Sequence, residues 1–500
     1  MENMTVYRDL LFIVKVLTPL VIAVIMPFLS YKKNLFAKIG VIVAIANALL
    51  CSIGLLIYIY TYGTFSYYFG GWMAPWGIEF RVTFLSIFIS LIILSMSLFV
   101  VVFSLQDILK EVELKKVPRY YSLFLLLVFS LVGISLTNDI FNLFVFVEIS
   151  TLSACALISI VNRRQNIEAS LKYLIMSSLG SGCILFAIAL IYMVTGHLNM
   201  SQIGAELLTA WELYPKNVLA AASFLVVGFS VKSAVFPVHV WLPDAYTHAP
   251  SSSSAILSGI VTKTYAIALI KILFTVFGID VLDNIAVSNI FLTLATLSII
   301  FGSVFAIAQA DIKRMLAYSS VAQIGYVYMG INLASHAGLS GGLLHVLNHS
   351  IMKVGLFLTV GLIIHKTGKR RIKDFKGLAA DMPIQMTCFA IFALSMIGIP
   401  PLSGFFSKWY LALGAIEADK VFYVVVILIS SLLNAVYYLP IIISSFFHDR
   451  DESLVQIIRE KTPKSMFAPV LILAFSSVFF GLFYTLPLDV IQRAVINLIG

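Results

Sequence analysis

Apolar runs of about twenty residues, parted by short polar segments, recur along the whole chain. A bilayer core of about 30 Å needs about 20 residues of helix. The pattern predicts fourteen membrane helices, at about 9–29, 36–60, 82–105, 120–137, 140–161, 171–195, 218–240, 253–277, 285–308, 316–335, 339–365, 385–414, 421–446 and 466–486. Helices suit lipid because they satisfy their own backbone hydrogen bonds. The ten-residue alternation of a membrane barrel is missing. The expected fold is an all-α polytopic membrane protein.

Two of these runs are interrupted. The seventh carries Pro237 and Pro243, and the twelfth carries Gly398, Pro400, Pro401 and Gly404. Proline removes a backbone donor and kinks a helix. Within a membrane this is tolerated where protein or a water-filled cavity meets the freed groups. The breaks lie five helices apart. That spacing predicts two five-helix repeats, helices 4–8 and 9–13, with the second inverted because the repeat is odd. The expected division is 1–119 for the first three helices, 120–280 and 281–447 for the repeats, and 448–500 for the last helix.

Composition strengthens the membrane reading. The chain is 60% hydrophobic and 11% charged, against about 25% charged in soluble proteins. Its mean hydropathy is +1.01. The net charge of +9 sits in short loops, so it reads as membrane topology and not as nucleic-acid binding. One side of the membrane collects 22 Lys and Arg, in the loops Lys32–Lys38, Lys110–Arg119, Arg163–Lys172, Lys313–Arg314, Lys366–Lys376 and Arg450–Lys464. The other side has 5, namely Arg8, Arg81, Lys216, Lys420 and Arg493. The richer side is expected to be cytoplasmic, which puts both termini outside the cell membrane. The first apolar run lacks a cleavage site and is expected to be a retained helix. The four cysteines, Cys51, Cys155, Cys183 and Cys388, lie in apolar runs with neither metal nor disulfide spacing.

Six basic residues remain inside the predicted helices: Lys15, Lys232, Lys263, Lys271, Lys353 and Lys408. Each costs roughly 2.5–3.5 kcal/mol at mid-membrane. Lys15 and Lys271 are expected near helix ends, where a long stem reaches the interface. The other four have no such escape. Lysine, unlike arginine, can release and regain a proton when buried. Glu148 is the only acid expected deep in an apolar helix, and it should pair with a lysine. That pair is either a static ion pair or a charge that tunes a proton-carrying lysine.

His345, His349 and Lys353 stand at i, i+4 and i+8 on one helix face, with Asn348 beside them. They suit a proton or water relay. Zinc binding and plain packing hydrogen bonds are the alternatives, although no Cys or carboxylate ligand is nearby in sequence. His239, Asp244 and His248 flank the loop after the seventh helix and mark either a proton entrance or loop structure. A hydrated polar axis is expected to join Glu148, Lys232, Lys263, the His345–Lys353 face and Lys408.

Several motifs carry a resemblance. They are Lys232 to Pro250, with Phe-Pro-x-His-x-Trp-Leu-Pro-Asp-Ala, then Ala255 to Lys263, and Asp311-Ile-Lys-Arg-Met-Leu-Ala-Tyr318. His345-x-x-Asn348-His349-x-x-x-Lys353 and Leu402-Ser-Gly-Phe-Phe-Ser-Lys408 complete the set. Over nearly the whole chain this resembles the antiporter-like subunits of complex I-type proton pumps. It is most similar to the D-type member of Mrp sodium/proton antiporters and its counterpart in membrane-bound hydrogenase-type complexes. The resemblance implies that Glu148 and Lys232 are a functional pair and that Lys263 is a bridging lysine. It implies a polar set at His345, His349 and Lys353, and proton exit at Lys408. It also implies antiporter-like and small hydrophobic membrane subunits as partners, protons and sodium as candidate ions, and no cofactor in this chain. With a short C-terminal tail after the last expected helix, the long lateral helix of the largest members is not expected. Without a CxxC motif, flavin fingerprint or haem ligand pair, redox chemistry is expected on partner chains. Two rival classes are a membrane enzyme using His and Asp244, and a passive scaffold.

Overall fold

A computed structural model describes residues 2–29, 34–278, 281–282, 287–449 and 463–499. Lys32, Lys33, Arg450, Arg459 and Lys461, counted above among the loop charges, lie outside the described residues. The chain opens with α1 (Glu2–Leu29) and α2 (Asn34–Tyr62). A hairpin follows, β1 (Phe65–Tyr68) against β2 (Glu79–Val82), then α3 (Phe84–Glu111). Next come α4 (Val117–Leu136), α5 (Ile140–Ser159), α6 (Arg164–Thr195), the short α7 (Met200–Leu213), α8 (Pro215–Ser233) and α9 (Trp241–His248). α10 (Ser251–Phe277) includes two π-helical stretches. The second half holds α11 (Val287–Ile307), α12 (Ile312–Asn332), α13 (His336–Thr367), α14 (Pro383–Ile397), α15 (Ser403–Glu417), α16 (Phe422–Phe447), α17 (Lys464–Leu482) and α18 (Thr485–Ile499).

Among the described residues the architecture is helical apart from the hairpin, as the apolar pattern predicts. Among the described residues, eleven helices are individually long and apolar enough to cross a membrane. The other three expected crossings fall on the broken pairs α8–α9 and α14–α15, and on the more polar α12. α18 is an addition, since the apolar pattern predicts a bare tail for its 15 residues. Its apolar side, with Ile491 and Val495 buried, gives that segment a surface to pack.

The internal repeat is visible in backbone hydrogen bonds. Asp139 caps α5 by accepting from the Asn142 N–H, and Asp311 caps α12 by accepting from the Arg314 N–H. Around the first cap, Ile140 N–H donates to Leu198 O and Met200 N–H to Asn138 O. Around the second, Ile312 N–H donates to Arg370 O and Ile372 N–H to Ala310 O. α6 and α13 both run for 32 residues and both end on Thr followed by a left-handed Gly, Gly196 or Gly368. Every one of these correspondences is offset by 172 residues. Beyond them the register slips, because the 14-residue α7 is replaced in the second copy by two short 3-10 turns.

Burial separates centre from rim. The apolar windows of α10 and α13 are 89% and 94% buried, against 33% for α1 and 39% for α2, α6, α16 and α17. A helix covered on all sides needs apolar residues all round, and any polar side chain on it must find a partner inside. Lys263 lies on α10, and His345, His349 and Lys353 lie on α13.

Candidate functional site

α8 stops at Ser233 because Ala234 adopts a left-handed conformation (φ 57°) and Pro237 follows. The last turn of α8 therefore ends inside the protein, with Lys232 on it. The Lys232 ammonium donates to Thr151 Oγ1 at 2.6 Å and lies 3.6 Å from Glu148 Oε1. Ser181 Oγ–H donates to Glu148 from α6. The Lys232 side chain is fully buried, whereas that of Glu148 is 33% exposed. The carboxylate thus looks toward the surface of this chain, while its lysine looks inward.

Tyr265 of α10 approaches from the other side, with its ring 6.0 Å from the Lys232 ammonium and its hydroxyl 2.7 Å from Ser150 Oγ. Two residues earlier, Lys263 donates to the Ser258 carbonyl. Ser258 sits in the π-helical stretch Leu257–Val261, and such a bulge frees a carbonyl from the regular ladder. Ser258 Oγ meets Ser320 Oγ of α12 at 2.9 Å.

Lys353 also points at α12, donating to Leu316 O at 2.8 Å and to Ser319 Oγ. The rings of His345 and His349 stack with centroids 5.6 Å apart. His345 Nδ1 is 3.0 Å from Ser407 Oγ on α15. Lys408, one residue on, lies 5.2 Å from the Tyr326 ring and donates to Met396 O (3.0 Å), Ile397 O (2.9 Å) and Ser431 Oγ (3.0 Å). Met396 and Ile397 end α14, so Lys408 satisfies carbonyls that the helix leaves free. Gly398 makes room for it: a Cβ there would sit 3.0 Å from Lys408 Cδ, and its φ of 95° suits glycine. Gly404 lets α15 lie directly on the Ser395 carbonyl.

The residues expected on one axis are thus brought together by α5, α8, α10, α12, α13 and α15. Between them, His345 Nε2, both His349 nitrogens, Asn348 Oδ1 and the Gln323 amide are buried without a protein partner. Buried polar atoms of this kind are satisfied by ordered water. Among the described residues no third His, Cys, Asp or Glu joins His345 and His349 to complete a metal-binding group.

The three residues expected at an entrance have different immediate partners. Asp244 is held by Lys172 at 2.6 Å and Arg314 at 3.3 Å, which ties α9 to α6 and α12. His239 stacks between Phe236 and Phe305 instead. His248 ends α9, and its carbonyl accepts from Asn166.

Three expectations are corrected by the structure. Glu148 is not the only acid held inside, because α3 runs on to Glu111 and carries Asp107 inward, where it accepts from the Ser252 N–H. A helix end at residue 105, as hydropathy suggests, leaves Asp107 in a loop. Lys15 does not reach an interface: α1 begins at Glu2, so Lys15 is mid-helix and 1% exposed. Lys313, a loop charge by sequence, is buried and donates to Ala249 O at 2.6 Å. The hydroxyls of Thr151, Ser181, Ser258, Ser319 and Ser320 escape sequence reasoning, since serine and threonine inside an apolar run give no distinctive signal.

The family described as NADH:quinone oxidoreductase/Mrp antiporter, TM, matches residues 137–434. The chain is 38% identical over 484 residues to the N subunit of NADH-quinone oxidoreductase from Desulforudis audaxviator, covering 93% of this chain and 95% of the relative. It is 32% identical over 410 residues to the D-type component of the Na(+)/H(+) antiporter from Alkalihalophilus pseudofirmus, covering 81% of each. Among solved structures, a chain of the membrane-bound sulfane sulfur reductase, an archaeal respiratory membrane complex, superimposes with a TM-score of 0.89 at 28% identity over 98% of both chains.

Proposed function

The chain belongs to the NADH:quinone oxidoreductase/Mrp antiporter transmembrane family, and from that premise we propose that it is a proton-translocating, D-type antiporter-like subunit of a multisubunit cation/proton antiporter. One observation carries the reading. Four lysines, Lys232, Lys263, Lys353 and Lys408, are buried, and one of the four has a carboxylate partner. The others donate to carbonyls and hydroxyls. Neutral partners stabilise an ammonium less than a carboxylate does, so a lysine held this way can give up its proton.

In this reading Lys232 is loaded under the influence of Glu148. Lys263, His345, His349 and Lys353, with intervening water, pass protons along, and Lys408 releases them. His239, Asp244 and His248 mark the side of entry. The basic loops face the cytoplasm and both termini face outside the cell membrane. The one-third exposure of Glu148 supports a neighbouring membrane subunit at that surface. Sodium is the exchanged ion of the assembled antiporter.

A second reading places the same chain in a redox-driven complex, with electron transfer on partner chains. The 38% relative and the sulfur-reductase neighbour favour it. Both readings meet in one experiment. Lys232→Arg keeps a positive charge but cannot hand on a proton at accessible pH. Proton transport by the assembled complex is expected to fall to background, with complex levels measured in parallel. Transport at the wild-type rate would leave Glu148 and Lys232 as a static ion pair.

A further inference from the structure

Lys271 stands outside the line of lysines described above, yet its surroundings repeat those of Lys408. Its ammonium donates to Ser135 O at 3.3 Å and to Thr137 O, the carbonyls at the end of α4. Lys408 does the same at the end of α14. Each lysine meets helix-terminal carbonyls, and neither has a carboxylate within ion-pair distance among the described residues.

A cavity of about 90 Å³ opens beside Lys271 on the membrane face that carries the β-hairpin. That is room for several waters. Its rim, at Thr64, Arg81 and Asn497, is exposed. Its floor includes Ile267, which is 2% exposed. No carboxylate lines it. Lys263, Ile267 and Lys271 fall at i, i+4 and i+8 on the α-helical part of α10 and share one stripe. The cavity floor is therefore one helical turn, about 6 Å, from the Lys263 backbone, while the Lys263 ammonium is held on the other side, at the Ser258 carbonyl.

We propose that Lys271 and this cavity form a second proton outlet, on the hairpin face of the first repeat, fed by Lys263 across Ile267. The inference rests on the proton-moving reading above. The Lys263 side chain swings from the Ser258 carbonyl toward Ile267, and its ammonium there gives a proton to water and becomes an amine. Water passes that proton beyond Ile267 to the Lys271 amine, which becomes the ammonium. Lys271 then releases it to cavity water at the rim. Water is the only co-reactant, and no other bond changes. A second outlet would let the first repeat release protons without the second.

The test uses the assembled complex in vesicles, with proton translocation read by a pH-sensitive dye and complex levels by native electrophoresis. Lys408→Met alone is expected to lose part of the signal. Lys408→Met with Lys271→Met is expected to fall to the level of vesicles lacking this chain. Lys408→Met with Lys271→Arg is expected to fall as far, because arginine keeps the carbonyl contacts but cannot release a proton. Background transport in Lys408→Met alone would overturn the second outlet. So would full recovery with Lys271→Arg, which would make Lys271 a helix cap only. Failure of the proton-moving reading shows separately, as wild-type transport by Lys232→Arg. Should the double variants not assemble, Ile267→Cys in a chain without its native cysteines decides. A small impermeant thiol reagent applied from the hairpin face is expected to label it, and no labelling would overturn the outlet.

Discussion

The two helix breaks are copies of one device, but they hold their lysines differently. In the first, Lys232 lies before the break, on the half-helix that ends there, and faces Glu148 and Thr151. In the second, Lys408 lies after the break and reaches back to the carbonyls that end α14. The offset of 172 residues puts Ser320 where a counterpart of Glu148 would stand, and Ser320 is occupied with Ser258. One lysine therefore answers to a side-chain charge that movement can remove. The other answers to backbone dipoles that are always present. A movable charge makes an adjustable site, and fixed dipoles make a constant one.

Removing the adjustable lysine should have the largest effect. Lys232→Ala is expected to bring proton transport to background in vesicles containing normal amounts of complex. Retained transport would equate the two breaks functionally. Glu148→Gln should come next, with a loss on the order of tenfold, since solvent already screens part of this one-third-exposed charge. An unchanged rate would mean that Thr151 and Ser181 alone set the behaviour of Lys232.

Backbone substitutions sharpen the comparison on stability. Gly398→Ala forces an L side chain to φ 95° and crowds Lys408 Cδ. It should cost about 2 kcal/mol, read as a lower thermal transition of the detergent-solubilised complex. Ala234→Gly at the first break relieves a similar conformation but also removes a buried methyl. It should be neutral to within about 1 kcal/mol. Equal losses at both sites would mean that the breaks are not held by their left-handed residues.

The smallest effect is expected far from either lysine. Burial pushes the Glu79 carboxyl up, but hydrogen bonds from Ser66, Asn138 and Asn199, with Arg81 nearby, hold it below the usual carboxylate range. Its folded form is thus the better acid. Its stabilising contribution is complete above the ordinary glutamate range and is lost as pH falls through the lowered value. Glu79→Gln should cost about 1 kcal/mol at neutral pH and nothing at low pH, read as the thermal transition of the solubilised complex. An equal cost at both pH values would mean that the Glu79 charge contributes nothing beyond the hydrogen bonds.

Some of this molecule is open to reading from residues alone. Apolar runs must become helices in lipid, so the helices and the two breaks follow from spacing and proline chemistry. Charges that are costly in lipid stand out by type, so Glu148, Lys232, Lys263, Lys353 and Lys408 are evident as the unusual residues. Their partners are not. Thr151, Ser258 and Ser319 are ordinary residues of apolar runs until neighbouring helices close on them. Asp107 and Lys15 depend on where α3 ends and α1 begins, which hydropathy sets only to within several residues. Whether a lysine meets a carboxylate or a row of carbonyls depends on the rotation and approach of helices far apart in sequence. Packing alone decides that, and it distinguishes Lys232 from Lys408 and brings Lys271 beside its cavity.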